Sequence, residues 1–274
     1  MPHILTEDDL GVFSRTWPPM NASDLAHTVS DSGFGQVHFN LASAGLNQLD
    51  APGATAVRAA FDQAAVAITS MSATYNMIDP DPDRRHRSTA EAVALIHQAP
   101  SLGVRMISLC TGSRHPTDKW AWHPDNASPR AYSDLLATMR QLVPAAREAG
   151  VRLGVEPDPG NVIDSAGAAR RLLRDVDGTV GVILDPGNLI TPENAGHQAD
   201  ILDEAFDTLG HRIVSVHAKD SHPRHGLGSG LVDFGLFFRR WALLPEPVPV
   251  VIHDVAPSDL PQAREFVLSH RDPA

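Results

Sequence analysis

Short apolar runs rich in β-branched residues alternate with longer amphipathic stretches along the whole chain. Short apolar runs are typical of buried strands, whereas apolar positions three and four residues apart are typical of helices that bury one face. The alternation predicts strands over residues 10–15, 35–40, 66–72, 104–111, 152–156, 180–185, 213–217 and 249–254. It predicts helices, one after each strand, over about 21–32, 53–64, 88–102, 128–149, 165–176, 191–209, 233–243 and 258–270. Eight successive strand–helix units indicate an α/β protein, a (β/α)8 TIM barrel that occupies residues 1–274 as a single domain.

Cap residues support several of these helices. Asn21 or Ser23 is the predicted N-cap of the first helix, and Ser88 opens a Ser-x-x-Glu capping box that predicts the start of the third helix. Pro129 and Gly150 suit the first turn and the C-terminal end of the fourth helix. The rival fold is a doubly wound open sheet, which normally has a Gly-x-Gly-x-x-Gly turn after its first strand. The sequence has no such turn, and this favours the barrel.

Three predicted strands end on side chains that bind metal ions well, namely Glu156, Asp185 and His217. The intervals are 29 residues between the first two and 32 between the last two, which is room for one strand, one helix and two loops. The carboxyl ends of barrel strands meet at one rim, so these side chains should converge there. Two carboxylates and an imidazole suit a divalent cation. The alternative is that each residue merely ends a buried strand.

His253, near the end of the eighth predicted strand, is a fourth candidate ligand. Side chains alternate between the two faces of a barrel wall, which predicts that His253 or Asp254, but not both, faces the lumen. With His253, the set has two carboxylates and two imidazoles, which suits Mn, Zn, Co or Fe better than Mg.

A divalent ion at this rim would suit sugar chemistry, because it can chelate two adjacent oxygens of a sugar and polarise the carbonyl. Glu156 could then be both ligand and general base, and proton abstraction next to a carbonyl is the predicted reaction class. Lys219, two residues beyond His217, could donate to the oxygen that gains charge, or be a solvated lysine paired with Asp220. His253 could supply an acid or a second base.

Other rim residues are candidate substrate contacts. His38 lies at the end of the second strand, and Asn76 follows the third. Trp120 and Trp122, in the loop after strand four, offer flat apolar faces for a sugar ring, and Arg224 lies in a glycine-rich loop that could close over a ligand. Each has a structural alternative: a hydrogen-bonded buried His or Asn, an aromatic that packs its own loop, or a surface arginine.

Composition narrows the range of partners. The chain has 22 lysine and arginine residues against 33 aspartate and glutamate residues, a formal net charge of −11. This charge opposes binding to nucleic acid or to an anionic membrane. Cys110 is the only cysteine, and the chain opens without a basic and apolar leader. These features predict a cytoplasmic protein in a reducing compartment that acts on a small molecule.

The strand-end segments resemble the xylose isomerase-like superfamily of barrels, in particular its sugar phosphate isomerase/epimerase group. The resemblance spans nearly the whole chain and rests on Gly154-Val-Glu156-Pro, Ile183-Leu-Asp185-Pro-Gly-Asn188, Val216-His217-Ala-Lys219-Asp220 and Gly228-Ser-Gly-Leu-Val-Asp-Phe234. It implies one divalent metal ion, often Mn, bound by the strand-end residues. It also implies a polyol, ketose or inositol-like substrate with Asn188 among its contacts, and a barrel that commonly pairs into a homo-oligomer.

Two positions depart from the family pattern. His253 stands where the family usually has a glutamate ligand, and Asn188 stands where many members have a histidine. The ketose 3-epimerases of the group use two facing glutamates, so a symmetric two-base epimerisation would require His253 as the second base. The predicted function is a metal-dependent sugar isomerase or epimerase. A metal-dependent lyase, such as a dehydratase or deglycosidase, is the alternative, ahead of a nuclease resembling endonuclease IV, which the charge disfavours, and a non-catalytic barrel.

Overall fold

Eight parallel strands form a closed barrel in which each strand pairs with its neighbours in chain order. The structure, a computed structural model, describes residues 2–221 and 226–271. The strands are β1 Leu10–Phe13, β2 Gln36–Phe39, β3 Ala67–Ser72, β4 Met106–Cys110, β5 Arg152–Glu156, β6 Val180–Leu184, β7 Ile213–Ala218 and β8 Val250–Ile252. Parallel pairing of Val12 with Ile252 joins the first strand to the last. The predicted TIM barrel is confirmed.

Helices cover the outside of the barrel. The described residues contain α1 Ala22–Asp31, α2 Ala51–Gln63, α3 Pro82–Gln98, α4 Pro129–Ala149, α5 Ala166–Asp175, α6 Pro186–Leu189, α7 Gln198–Leu209, α8 Phe234–Ala242 and α9 Leu260–Ser269. The predicted cap of α1 is confirmed, because the Asn21 side chain accepts from the Asp24 amide. The predicted positions of Pro129 in the first turn of α4 and of Gly150 at its C-terminal end are confirmed as well, and the Ser128 side chain caps α4 by accepting from the Ala131 amide. None of the helices in the described ranges is both long and apolar enough to cross a bilayer.

The predicted start of α3 is wrong. The helix begins six residues before Ser88, at Pro82, and the Asp81 side chain accepts hydrogen bonds from the Asp83 and Arg84 amides. Proline suits the first turn of a helix, where its missing N–H has no intrahelical partner. Pro82 therefore opens the helix.

The predicted helix over 191–209 is also shorter than expected. The short α6 lies directly after β6, a 3-10 turn covers Ala195–His197, and α7 begins only at Gln198. Asn194 holds the intervening turn, since its side chain accepts from the Thr191 amide and donates to the Leu189 carbonyl. Asparagine side chains commonly compete with helical hydrogen bonds in this way.

The main apolar core lies between the barrel and its helices, and a separate cluster of Met106, Ile183 and Val214 fills the barrel interior. Gly154 leaves room for this cluster, because a Cβ atom there would approach Met106 Sδ to 2.7 Å and Ile183 Cγ1 to 2.9 Å. Apolar packing thus closes the lumen below the rim, and the polar residues gather above it at the carboxyl ends of the strands.

Candidate active site

Glu156, Asp185 and His217 come together at the carboxyl rim of the barrel, as the spacing of the strand ends predicts. Glu156 ends β5, Asp185 directly follows β6, and His217 is the penultimate residue of β7. His217 Nδ1 lies 3.5 Å from Glu156 Oε1 and 3.4 Å from Asp185 Oδ2. One potential ligand atom from each residue falls within 4.8 Å of the others. Neighbouring strands of one barrel therefore supply a compact group of two carboxylates and an imidazole.

This group has the chemistry of a divalent cation site. Asp185 and His217 are each 1% exposed. Both ring nitrogens of His217 lack a hydrogen-bond partner among the described residues. Buried polar atoms are normally paired, because leaving them unpaired costs free energy. Carboxylate oxygens and an imidazole nitrogen directed at one point are donors that fit a divalent metal ion.

Lys219 forms an ion pair within the same group, since its Nζ lies 2.8 Å from Asp185 Oδ2. Burial raises the pKa of Asp185, but Lys219 and His217 outweigh burial and hold it well below its ordinary value. Burial likewise lowers the pKa of His217, but Glu156 and Asp185 outweigh it and raise that pKa to about 9. The pKa of Lys219 is raised because Asp185 and Glu156 outweigh its burial. The two carboxylates thus stabilise the protonated, positively charged forms of His217 and Lys219.

Asn188 links Lys219 to Glu156. Lys219 Nζ donates to Asn188 Oδ1 at 2.6 Å, and Asn188 Nδ2 donates to Glu156 Oε1 at 2.9 Å and to the Pro157 carbonyl at 3.0 Å. Asn188 lines the cavity above the three residues, so its predicted substrate contact stays a prediction. Its hydrogen bonds to protein indicate a second role, which is to fix the orientation of the Glu156 carboxylate.

His253 is not one of the three converging residues. Its ring stacks between Phe13 and His217, with centroid distances of 4.5 Å and 4.7 Å. Burial lowers the pKa of His253 well below the ordinary value, and the positive charges of His217 and Lys219 lower it further, so the imidazole is neutral. Its predicted roles as fourth ligand and catalytic group stay predictions.

The prediction that only one of His253 and Asp254 faces the lumen is wrong, because both line the cavity. The strand β8 ends at Ile252, and Asp254 has a left-handed φ of 59°. Strict alternation requires extended backbone, and it stops applying where the strand ends.

His38 also lies at the cavity. It is buried, its Nε2 lies 2.9 Å from Ser108 Oγ, and its ring centroid is 5.9 Å from that of His217. Its Nδ1 has no hydrogen-bond partner in the described part of the chain. Burial, together with the charge of His217, lowers the pKa of His38 to about 3. A neutral imidazole is thus available to a hydroxyl, and its substrate role stays a prediction.

Two other predicted substrate contacts, Asn76 and Trp122, do not line this cavity. The Asn76 amide donates to the Ser113 carbonyl and accepts from the Ser113 N–H, which ties the loops after β3 and β4 together. Trp122 is 68% exposed and does not line the cavity, whereas Trp120 does. Arg224 lies outside the described residues.

The cavity has a volume of about 690 Å³, which is within the usual range for small-molecule sites. It includes Trp120, a predicted ring contact, and also residues that the sequence did not single out, among them Arg15, Ser108 and Asp158. Burial raises the pKa of Asp158, and the Glu156 charge adds to this effect. The signal for Asp158 was its position two residues beyond Glu156, where an extended chain brings a side chain back to the same face.

Comparisons with known proteins agree with this architecture. The family model described as xylose isomerase-like TIM barrel matches residues 26–242. No curated protein matches the sequence.

Similar solved structures share the fold at low identity. The 3-keto-D-glucoside 4-epimerase of E. coli is 19% identical with a TM-score of 0.76, covering 95% of this chain and 99% of that one. The D-psicose 3-epimerase of Clostridium cellulolyticum H10, solved with D-tagatose, is 16% identical with a TM-score of 0.76, covering 96% and 99%. A xylose isomerase-like TIM barrel protein of Mycobacterium smegmatis in complex with magnesium is 19% identical with a TM-score of 0.71, covering 98% and 96%. The family match covers most of the chain, and the chain belongs to the xylose isomerase-like TIM barrel family.

Proposed function

We propose that the protein is a divalent-metal-dependent isomerase or epimerase that removes a proton next to the carbonyl of a sugar, keto-sugar or cyclitol. The observation that carries the proposal is the convergence of Glu156, Asp185 and His217 to within 4.8 Å at the edge of a cavity of about 690 Å³. The names of similar structures support the class, since they include epimerases of keto-sugars.

Glu156, Asp185 and His217 would hold the metal ion, and His253 is the proposed fourth ligand. When bound, the ion would polarise the substrate carbonyl and stabilise negative charge on its oxygen. We propose manganese, which suits a mixed oxygen and nitrogen donor set, and the same set also accepts Zn, Co, Fe or Mg. The magnesium complex of a similar structure is consistent with a divalent ion in this family.

Glu156 is the proposed general base. Its carboxylate lines the cavity, and the amide of Asn188 fixes Oε1 at 2.9 Å. Lys219 is the proposed donor to the oxygen that gains charge, supported by its positive charge and its position in the cavity wall. His38, Asn188, Trp120 and Ser108 are the proposed contacts for substrate hydroxyls and for the sugar ring.

The neutral His253 favours chemistry at one face of the substrate. A neutral imidazole can accept a proton, but it cannot deliver one as an imidazolium acid. Glu156 would therefore remove the proton from the hydroxyl-bearing carbon and return it, on the same face, to the neighbouring former carbonyl carbon. The hydroxyl proton would pass to the former carbonyl oxygen, which completes an aldose–ketose isomerisation. Epimerisation would need His253 to accept a proton from the opposite face.

Three linked measurements test this function. Elemental analysis of the purified protein should find about one divalent ion per chain. The Mn-loaded protein in heavy water, tested on a panel of D-fructose, D-tagatose and inososes, should exchange the C–H hydrogen next to the carbonyl. Glu156→Gln should lose exchange while remaining folded, whereas Glu148→Gln, at an exposed position of α4, should retain it. Full exchange in Glu156→Gln, or in metal-free protein, would rule the proposal out.

A metal-dependent lyase is the second candidate, favoured by the imidazole that follows β8 in place of a second carboxylate base. β-Elimination from an oxidised sugar needs one base, here Glu156, and one acid, a role that the charged Lys219 can fill and the neutral His253 cannot. Mass analysis of the products separates the two functions, because a lyase changes the substrate mass and an isomerase does not.

The formal net charge of −11 supports a small-molecule partner rather than nucleic acid or an anionic membrane. A cytoplasmic location and assembly of the barrel into a homo-oligomer complete the proposal. Size-exclusion chromatography with light scattering tests the assembly.

A further inference from the structure

A second cavity of about 620 Å³ adjoins the candidate active site. Three residues, Asn40, Ser72 and Thr74, line both cavities. Ser72 ends β3, and Asn40 directly follows β2, so the shared border lies at the carboxyl rim of the barrel. A molecule whose reacting part lies near Glu156 can therefore extend across this border into the second cavity.

The border consists of small polar side chains. Ser72 Oγ lies 3.3 Å from Thr74 Oγ1. Asn40 Oδ1 accepts from the Ala42 amide, while Asn40 Nδ2 has no hydrogen-bond partner among the described residues. Short hydroxyl side chains and a free amide donor can contact the oxygen atoms of a bridging group without closing the passage.

The wall of the second cavity is mixed apolar and neutral polar. Leucine, alanine and tyrosine side chains supply its apolar surface, and Asn47, Gln48 and Ser88 supply amide and hydroxyl groups. The Tyr75 ring is held in place because its hydroxyl donates to Thr89 Oγ1 at 3.0 Å. Apolar faces beside amide and hydroxyl groups suit a sugar ring, which has C–H faces and a hydroxyl edge.

The charge of this wall disfavours a phosphate group on the part of the substrate that enters the second cavity. Its charged side chain is the carboxylate of Glu91, and the described lining contains no lysine, arginine or histidine. Phosphate binding normally relies on such cations or on backbone N–H groups at a helix N-terminus. A phosphate in this cavity would instead face a carboxylate.

We propose that the second cavity binds the second ring of a neutral glycoside. The preferred substrate is then a keto-sugar joined by a glycosidic bond to another sugar, rather than a free or phosphorylated monosaccharide. The inference rests on the proposed function for the position of the reacting ring. The second ring would contribute binding contacts only, and it would not take part in the reaction.

Matched ligands test the second ring by equilibrium binding, which needs no turnover. D-Fructose is compared by calorimetry with isomaltulose and leucrose, two disaccharides that carry a glucose ring on fructose at different positions, and with D-fructose 6-phosphate. We expect at least one disaccharide to bind tenfold or more tightly than D-fructose, and the phosphate to give no comparable gain.

A pair of variants on α3 locates the effect. Ala94 and Ala90 are both exposed alanines of α3, but only Ala94 lines the second cavity. Ala94→Trp should fill the cavity and reduce the disaccharide preference at least tenfold, whereas Ala90→Trp should keep the wild-type preference.

The inference is overturned if D-fructose and both disaccharides bind equally, if the phosphate is preferred, or if the two tryptophan variants behave alike. Hydrogen exchange on D-fructose without any disaccharide preference overturns this inference alone. A wild-type protein that neither binds nor exchanges any sugar of the panel overturns the proposed function as well.

Discussion

His217 makes metal binding compete with a proton. In the metal-free protein Glu156 and Asp185 outweigh the effect of burial and raise the pKa of His217 to about 9. A metal ion needs the neutral imidazole, so binding at neutral pH must release this proton. We predict that the apparent Mn²⁺ affinity rises about tenfold per pH unit up to about pH 9 and then levels off.

Calorimetry at pH 7 in two buffers of different ionisation enthalpy measures this proton release. About one proton should leave per ion bound, and His217→Asn should bind the ion more weakly with little release. An affinity that is constant between pH 6 and pH 8 would contradict the prediction.

Asn188 gives a second prediction at the residue scale, because its side-chain amide donates to Glu156 and accepts from Lys219, two proposed catalytic residues. Removing this amide in Asn188→Ala frees the Glu156 carboxylate and deprives Lys219 of an acceptor 2.6 Å away. Losses of this kind around a metal site typically cost about 10–100-fold in activity. We expect kcat to fall by about this factor, with a smaller change in KM, in steady-state kinetics on the best sugar of the panel. A large rise in KM with unchanged kcat would assign Asn188 to substrate binding instead.

Strand position explains which site residues the sequence could predict. Glu156, Asp185 and His217 lie in or directly after strands, and parallel strands of a barrel must bring their carboxyl ends together. Trp120 and Trp122 lie in a long loop whose path depends on distant contacts. Asn126, for example, holds that loop through the Arg114 amide and the Gly160 carbonyl. Such contacts between distant residues do not produce a periodic pattern in the sequence.

At the scale of elements, replacing each of two glycines in the helical layer by alanine should change the free energy of unfolding in opposite directions. Gly150 ends α4 with a left-handed φ of 67°, and Gly167 lies inside α5. A Cβ atom would meet nothing within 4 Å at either position, so backbone preference decides the outcome. Gly150→Ala should destabilise the protein by about 1 kcal/mol, and Gly167→Ala should stabilise it by about 0.5 kcal/mol.

Urea unfolding monitored by circular dichroism measures both changes against the wild type. Gly178, which also has open space for a Cβ atom and no left-handed φ, provides the matched control for Gly150. Equal destabilisation in Gly150→Ala and Gly178→Ala would show that the left-handed turn is not the cause.

Element boundaries show where local patterns mislead. The pattern located all eight strands, because each is a short apolar run, but it placed the start of α3 at Ser88. A capping box is a local signal for the start of a helix. The prolines near Asp81 are a second local signal, which fits either a loop or the start of a helix. The Asp81 hydrogen bonds decide in favour of the helix start.

At the scale of the whole molecule, one rim of the barrel carries both the candidate ligand residues and the cavities next to them. An apolar cluster lies below, two carboxylates and a histidine that could hold a cation lie above it, and two adjoining cavities open beside them. The volume and lining of the second cavity depend on side chains from separate units, so no sequence motif could predict it.

Metal binding should also stabilise the fold as a whole, because the three ligands come from three successive strands that only the folded barrel brings together. An ion that binds only the folded state contributes about 2.7 kcal/mol at 100 times its Kd. For a chain of this size 1 kcal/mol corresponds to roughly 2 °C in Tm. We therefore predict that Mn²⁺ at this excess raises the Tm of metal-depleted protein by about 5 °C in differential scanning calorimetry, and that EDTA reverses the gain. Asp185→Asn should lose most of it, and Glu148→Gln should keep it. An equal shift in Asp185→Asn would show that the stabilising ion binds elsewhere on the protein.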